Sequence, residues 1–237
     1  MRYGEIITLG NHRLMCGDAT SSEDVMRLVD GEHVDLVLTD PPYGINQLGR
    51  GSTGSIGDGR NYPVAIGDNG VDMCQEHYQI AQTMCNRLLI WGGQNFTGFL
   101  PPSCGWIFWD KDKGTYELNF GDGGLAYTNF NTPIEKYVYK WNENAIGGNP
   151  VLNQRVHPNQ KPVELHEEIL KDFTKPGDVV LDCFGGSGTT LIASEITDRK
   201  CLMMEIRPDM CDIIIGRYNS LHGTMPLFDK EELLCPQ

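Results

Sequence analysis

Positive charge is scarce in this chain. Its 237 residues carry 19 Lys and Arg against 32 Asp and Glu, for a formal net charge of −13. That balance disfavours casual binding to polyanions, because long-range steering would repel them. Long apolar runs are also missing, so no bilayer-spanning segment is expected. The opening Met1-Arg2-Tyr3-Gly4-Glu5 lacks the apolar stretch that secretion needs, which leaves a cytoplasmic setting as the expectation. Paired Cys-x-x-Cys spacings and Cys/His clusters are absent, so no metal site is expected. The eight cysteines are scattered, and Cys16, Cys183, Cys201 and Cys211 fall in predicted strands or helices. They read as buried thiols in a reducing compartment. Cys235-Pro236 has no strand before it and reads as a frayed terminus. No internal repeat or convincing domain boundary breaks the chain, and its length suits one substantial α/β domain.

Against these absences stands Asp40-Pro41-Pro42-Tyr43, which ends the apolar run Val34-Asp35-Leu36-Val37-Leu38-Thr39. A buried strand would deliver a carboxylate, two prolines and an aromatic ring to a sheet edge. The carboxylate accepts hydrogen bonds from an exocyclic amino group, and the tyrosine face stacks on a heterocycle. The prolines fix the backbone and have no N–H, which leaves their carbonyls as acceptors. The plainer reading is a strand followed by a diproline turn.

The second half weighs against that plainer reading. Asp178-Val179-Val180-Leu181-Asp182-Cys183-Phe184 predicts a buried strand, followed by Gly185-Gly186-Ser187-Gly188-Thr189-Thr190 and a helix over Leu191–Thr197. Strand, glycine turn and helix let a cofactor approach the backbone at a helix N-terminus. Cys201–Met204 predicts a further strand ending at Glu205, where a ribose hydroxyl would be held. No Gly-Lys-Ser/Thr follows the glycines, so this is not a phosphate loop. Further strands are predicted at Leu14–Cys16, Leu88–Trp91, Gly105–Trp109 and Glu135–Trp141. Helices are predicted at about Ser21–Val29, Met73–Asn86, Val163–Phe173 and Pro208–Tyr218. The stretch from about Gly44 to Gly70 is dense in Gly, Ser, Asn and Asp. It reads either as a functional lid or as a surface excursion.

Taken together, Cys16-Gly17-Asp18, Asp40 to Tyr43, His157-Pro158-Asn159-Gln160-Lys161-Pro162, Asp182 to Thr190 and Glu205 resemble the amino-group DNA methyltransferases that use S-adenosylmethionine, in their beta arrangement. The likeness runs from about Gly10 to Tyr218. Cys183 departs from it, since the family usually has proline there. The resemblance implies a Rossmann-like α/β fold: a mostly parallel twisted sheet flanked by helices, forming a single catalytic domain. It also implies a loop insertion at about 44–70 and a small target-recognition segment at about 142–156.

The resemblance also implies roles. Asp40 and the carbonyl of Pro41 would accept the two hydrogens of the target amino group, with Pro42 stiffening the turn. Tyr43 would stack on a base flipped out of double-stranded DNA. Glu205 would take the cofactor ribose, and Asp18 its adenine amino group. Phe184, Gly186 and Gly188 would line the cofactor bed, and Thr189, Thr190 and Lys161 would meet its carboxylate. Asp182 would order the glycine turn. His157 carries no clear role, and no metal is needed.

Asp at position 40 leans toward adenine N6. The alternative is cytosine N4, for which Ser-Pro-Pro-Tyr is the more typical form. A NAD-dependent oxidoreductase would account for the glycine turn and acid, but not for the tetrapeptide. A non-catalytic S-adenosylmethionine-binding module would leave the occupied catalytic positions without a use. The acidic charge leaves two accounts of DNA binding: positive charge concentrated on one face, or a homodimer or other partner completing the surface. The expected setting is the cytoplasm of a bacterial or phage-infected cell.

Overall fold

The computed structural model describes residues 1–44, 70–112, 123–139 and 160–223, and the backbone alone at 55–56 and 60–61. The first elements are β1 (Ile6–Leu9), β2 (His12–Cys16), α1 (Ser22–Val29), β3 (Leu36–Thr39) and the two-residue strands β4 (Ser55–Ile56) and β5 (Arg60–Asn61). Next come α2 (Asp72–Met84), β6 (Leu88–Trp91), β7 (Trp106–Asp110), β8 (Gly123–Thr128) and β9 (Glu135–Val138). The last are α3 (Val163–Phe173), β10 (Val179–Asp182), α4 (Thr189–Ile196), β11 (Lys200–Glu205) and α5 (Pro208–Leu221).

Nine strands form one sheet in the order β1-β2-β11-β10-β3-β6-β8-β7-β9. The five from β2 to β6 are parallel. Both flanks turn antiparallel: β1 against β2, and β8 against β6 and β7, with β9 parallel to β7. This is the mostly parallel α/β fold that the sequence leads one to expect. The central strands are apolar along their length because both faces are covered. Alternate residues go to opposite sides. Leu36 and Leu38 join Ile169, Leu191 and Ile214 beneath α3, α4 and α5. Val37 joins Val25, Leu28, Cys74 and Ala81 beneath α1 and α2.

Local signals fix several boundaries. The Ser21 side chain accepts the Asp24 amide at 3.2 Å and caps α1. Pro208 opens α5 at a position that needs no N–H. Other boundaries differ from expectation. The last predicted helix continues to Leu221, and β9 stops at Val138. Cys183 lies one residue past β10, buried all the same.

Six of the seven described cysteines are buried, Cys104 is exposed, and all seven are free thiols. Burial pushes the Cys74, Cys183, Cys201 and Cys211 thiols well up. Among the described residues no helix is long and apolar enough to cross a membrane. No group of three or more His, Cys, Asp or Glu among them is placed to hold a metal ion.

The topology decides where chemistry can sit. From β3 the chain crosses through α2 to β6, on one side. From β10 it crosses through α4 to β11, on the other. β3 and β10 are adjacent and parallel, so their carboxyl ends open onto the point where the winding reverses, the usual ligand crevice of such sheets.

Candidate active site

β3 ends at this crevice and presents Asp40. Both carboxylate oxygens are engaged: Oδ1 accepts the Tyr43 hydroxyl at 2.7 Å, and Oδ2 accepts the Lys161 ammonium. Lys161 Nζ lies 3.3 Å from the Tyr43 hydroxyl and 5.3 Å from the centre of the Trp91 ring. Its side chain is only 8% exposed, against 23% for Asp40, so the ion pair is largely shielded from water.

Tyr43 is seated by two features. Its ring meets Phe96 edge-on at 6.3 Å. It also lies across Gly92, where an added Cβ would come within 2.2 Å of the ring. Gly92 has φ +74°, so both conformation and contact require glycine there. Sequence reasoning missed this residue, although a Gly-Gly pair directly after a strand is a recognisable signal.

β10 delivers the glycine turn beside it. A Cβ at Gly185 would strike Met203, and one at Gly188 would press on Ile214, so these two pack inward. Gly186 has φ +51°, and a Cβ there would meet only the Phe184 carbonyl oxygen, at an ordinary contact of 3.9 Å. Beside it lies Glu205, at the end of β11. Its Oε2 accepts the Gly186 amide at 2.8 Å and its Oε1 the Arg207 amide at 2.9 Å. Burial nonetheless pushes its carboxyl up to about 7. Each oxygen retains a lone pair, which suits a vicinal pair of hydroxyls.

Asp18 follows β2, whose Cys16 is in register with Glu205. Its Oδ1 accepts the amide and hydroxyl of Thr20 at 2.8 and 2.7 Å. Phe184 meets the His77 ring edge-on at 5.1 Å, and His77 Nδ1 is 3.1 Å from the carbonyl of Ala19. His77 therefore ties the Asp18 segment to the glycine turn. Nothing in the sequence pattern marked it out.

Under both turns runs a buried polar chain. Asp182 accepts Thr39 Oγ1 at 2.9 Å, Thr190 Oγ1 at 2.6 Å and the Phe184 amide at 3.1 Å. Trp91 Nε1, which can only donate, gives its hydrogen to His166 Nε2 at 3.2 Å. In neutral His166 the proton then sits on Nδ1, which faces Thr190 Oγ1 at 3.2 Å. Burial pushes His166 down to about 3 and Asp182 up to about 6. Trp91, His166, Thr190, Asp182 and Thr39 thus tie β6, α3, α4, β10 and β3 together. The hydroxyl of Thr190 faces into this chain, and that of Thr189 faces the Lys161 carbonyl at 3.3 Å. An anion at the start of α4 would therefore meet its backbone N–H groups rather than these hydroxyls.

The crevice gathers Asp40, Tyr43, Lys161 and the glycine turn, with Asp182 buried beneath and Glu205 and Asp18 along the neighbouring strand ends. Lys161, which the resemblance places near a cofactor carboxylate, stands on Asp40 here. Of the expected lid at about 44–70, residues 45–69 lie outside the described side chains. The target-recognition segment at about 142–156 and His157 also lie outside the described residues. The neck of the 44–70 stretch is visible: a Cβ on Gly44 would come within 2.7 Å of the Gly70 carbonyl carbon.

The family model described as DNA methylase (N6_N4_Mtase) matches residues 86–216, more than half of the chain. The Type II methyltransferase M.HpaI of Haemophilus parainfluenzae is 23% identical over 260 residues, spanning 95% of this chain and 80% of that protein. Among solved structures, the PvuII DNA methyltransferase (cytosine-N4-specific) superposes with a TM-score of 0.63 at 14% identity, over 98% of this chain and 94% of that one. The M1.HpyAVI–SAM complex superposes with a TM-score of 0.56 at 19% identity, over 87% and 98%.

Proposed function

The chain belongs to the N6/N4 family of S-adenosylmethionine-dependent DNA methyltransferases, and on that premise we propose that it methylates adenine N6 at a specific site in double-stranded DNA. The observation that carries this reading is Asp40 at the head of the tetrapeptide, held at the crevice between β3 and β10. The cofactor is S-adenosylmethionine. The residues present fit it: Gly186 is uncrowded and its amide is bonded to the buried Glu205 carboxylate, which has lone pairs left for ribose hydroxyls. We assign the ribose to Glu205, the adenine to Asp18 and Phe184, and the methionine end to Gly186, Gly188 and the first turn of α4. Lys161 stands beside that turn, and Asp182 acts through the turn rather than by contact. When bound, the cofactor supplies a methyl carbon made electrophilic by its sulfonium.

The chain's own task is to turn a poor nucleophile into a usable one. The lone pair of an exocyclic amine is delocalised into its ring. Asp40 and the Pro41 carbonyl, accepting one hydrogen each, draw the nitrogen toward a tetrahedral shape and localise that pair. They also stabilise the positive charge that grows on nitrogen. Pro42 keeps the turn stiff, and Tyr43 gives the extruded base a stacking face. Holding the amine in line supplies a further share of the rate. Catalysis uses one domain, with specificity drawn from the 142–156 segment and the 44–70 insertion. A second copy of the chain is one way to complete the DNA surface.

Cytosine N4 is the second reading, favoured by the fold-level likeness to the cytosine-N4-specific PvuII methyltransferase. The chemical demand on Asp40 is the same for either amine. Expression in a methylation-deficient bacterial host, followed by long-read sequencing for modified bases, separates them. N6-methyladenine in one short motif is the expected result. N4-methylcytosine would replace the adenine assignment.

A further inference from the structure

We propose that Asp40 and the carboxylate of the bound cofactor compete for a single ammonium, that of Lys161. The proposal rests on the cofactor assignment above and goes beyond it. Lys161 is anchored at the start of α4, because its carbonyl accepts the Thr189 hydroxyl at 3.3 Å. Its ammonium reaches the other way, to Asp40 Oδ2. One residue therefore bridges the place where the methionine end lies and the carboxylate that receives the target amine. A side chain 8% exposed needs a counter-charge close by, and Asp40 meets that need. With Tyr43 on Oδ1 and Lys161 on Oδ2, one lone pair of each Asp40 oxygen is engaged, and the ammonium offsets the charge on Oδ2. A carboxylate arriving at the α4 N-terminus offers Lys161 a second anion within the span of its flexible four-carbon stem. As the ammonium turns toward it, Oδ2 regains its charge and becomes the stronger acceptor for a hydrogen from the base. Cofactor binding thus readies Asp40 for the target nucleotide.

Competition has a signature that simple proximity lacks: removing one rival strengthens the other. Calorimetric titration with S-adenosylhomocysteine, which retains the methionine carboxylate, reads it directly. Asp40→Asn keeps shape and removes charge, and it is expected to tighten binding by about threefold or more. In a Lys161→Met background the same change is expected to have no effect, as a double-mutant cycle requires. 5′-Methylthioadenosine lacks the amino-acid end and is expected to bind all four proteins alike. Should Lys161→Met fail to fold, Lys161→Gln takes its place in the cycle. Unchanged or weaker binding of S-adenosylhomocysteine by Asp40→Asn overturns the proposal. So does a gain that persists without Lys161 or appears with methylthioadenosine. Glu205→Gln separates the two layers. If it weakens S-adenosylhomocysteine binding while Asp40→Asn fails to tighten it, only the competition fails. If Glu205→Gln also has no effect, the cofactor assignment fails with it.

Discussion

Glu205 carries two opposed influences on one carboxyl group. Backbone amides of Gly186 and Arg207 favour its charged form, yet burial outweighs them and lifts it to about 7. A carboxylate in the ribose-binding role proposed for Glu205 binds best ionised. As the pH falls through about 7, Glu205 takes up a proton that the ligand must expel. Affinity for S-adenosylhomocysteine is therefore expected to fall below neutral pH, by up to about tenfold per unit. Glu205→Gln should bind more weakly and lose that inflection. Calorimetry across pH 5.5 to 8.5 checks it.

Asp182 makes a different demand, because three donors converge on it. An amide in its place has one acceptor oxygen and turns an NH2 toward a donor. Asp182→Asn is expected to destabilise the fold by about 1–3 kcal/mol, seen as a shifted midpoint in urea unfolding.

At the scale of elements, the seat of Tyr43 is a turn rather than a pocket. Gly92 ends β6 in a left-handed conformation and leaves room for the ring above it. Gly92→Ala combines backbone strain with a collision and should displace Tyr43. We expect turnover to fall at least tenfold while S-adenosylhomocysteine affinity stays within about twofold, measured by methyl transfer and by calorimetry. Much of the frame was legible in the sequence. The apolar runs at β3, β6, β10 and β11 have the length and burial of sheet-centre strands, and Ser21 and Pro208 mark helix starts. Strand β8 was not legible. It opens with Gly123-Gly124, which reads as loop, yet a Cβ at Gly123 would come within 2.3 Å of the Phe108 ring. Those glycines serve the neighbouring strand's aromatics, a long-range fact. β1 was missed despite a usable signal, since Gly10-Asn11 joins Leu9 and His12 as a two-residue hairpin. In the site, the motif residues were visible one by one. The meeting of Lys161 with Asp40, 121 residues apart, was not, because partners so distant are set by sheet order.

For the whole molecule the question is how an acidic chain holds DNA. Several described basic side chains are already paired: Arg13 with Asp30 and Glu32, Lys200 with Glu32, Lys136 with Asp110 and Arg207 with Asp209. Arg50, Lys113, Lys140 and Arg155 fall in segments outside the described residues. If phosphates are met there, exchanging Arg50 and Arg155 for Gln should weaken duplex binding. The log–log salt dependence should flatten by about one unit for each phosphate that is no longer neutralised. Fluorescence anisotropy at several salt concentrations reads both. Cofactor affinity should not move.

The burial of the thiols has a practical side. Six of the seven described cysteines are shut inside the sheet and its helices, while Cys104 lies at the surface just ahead of β7. Among the described residues a water-borne maleimide meets that sulfur first. A dye or spin probe can be hung there without engineering a cysteine, on a chain whose interior sulfurs stay silent.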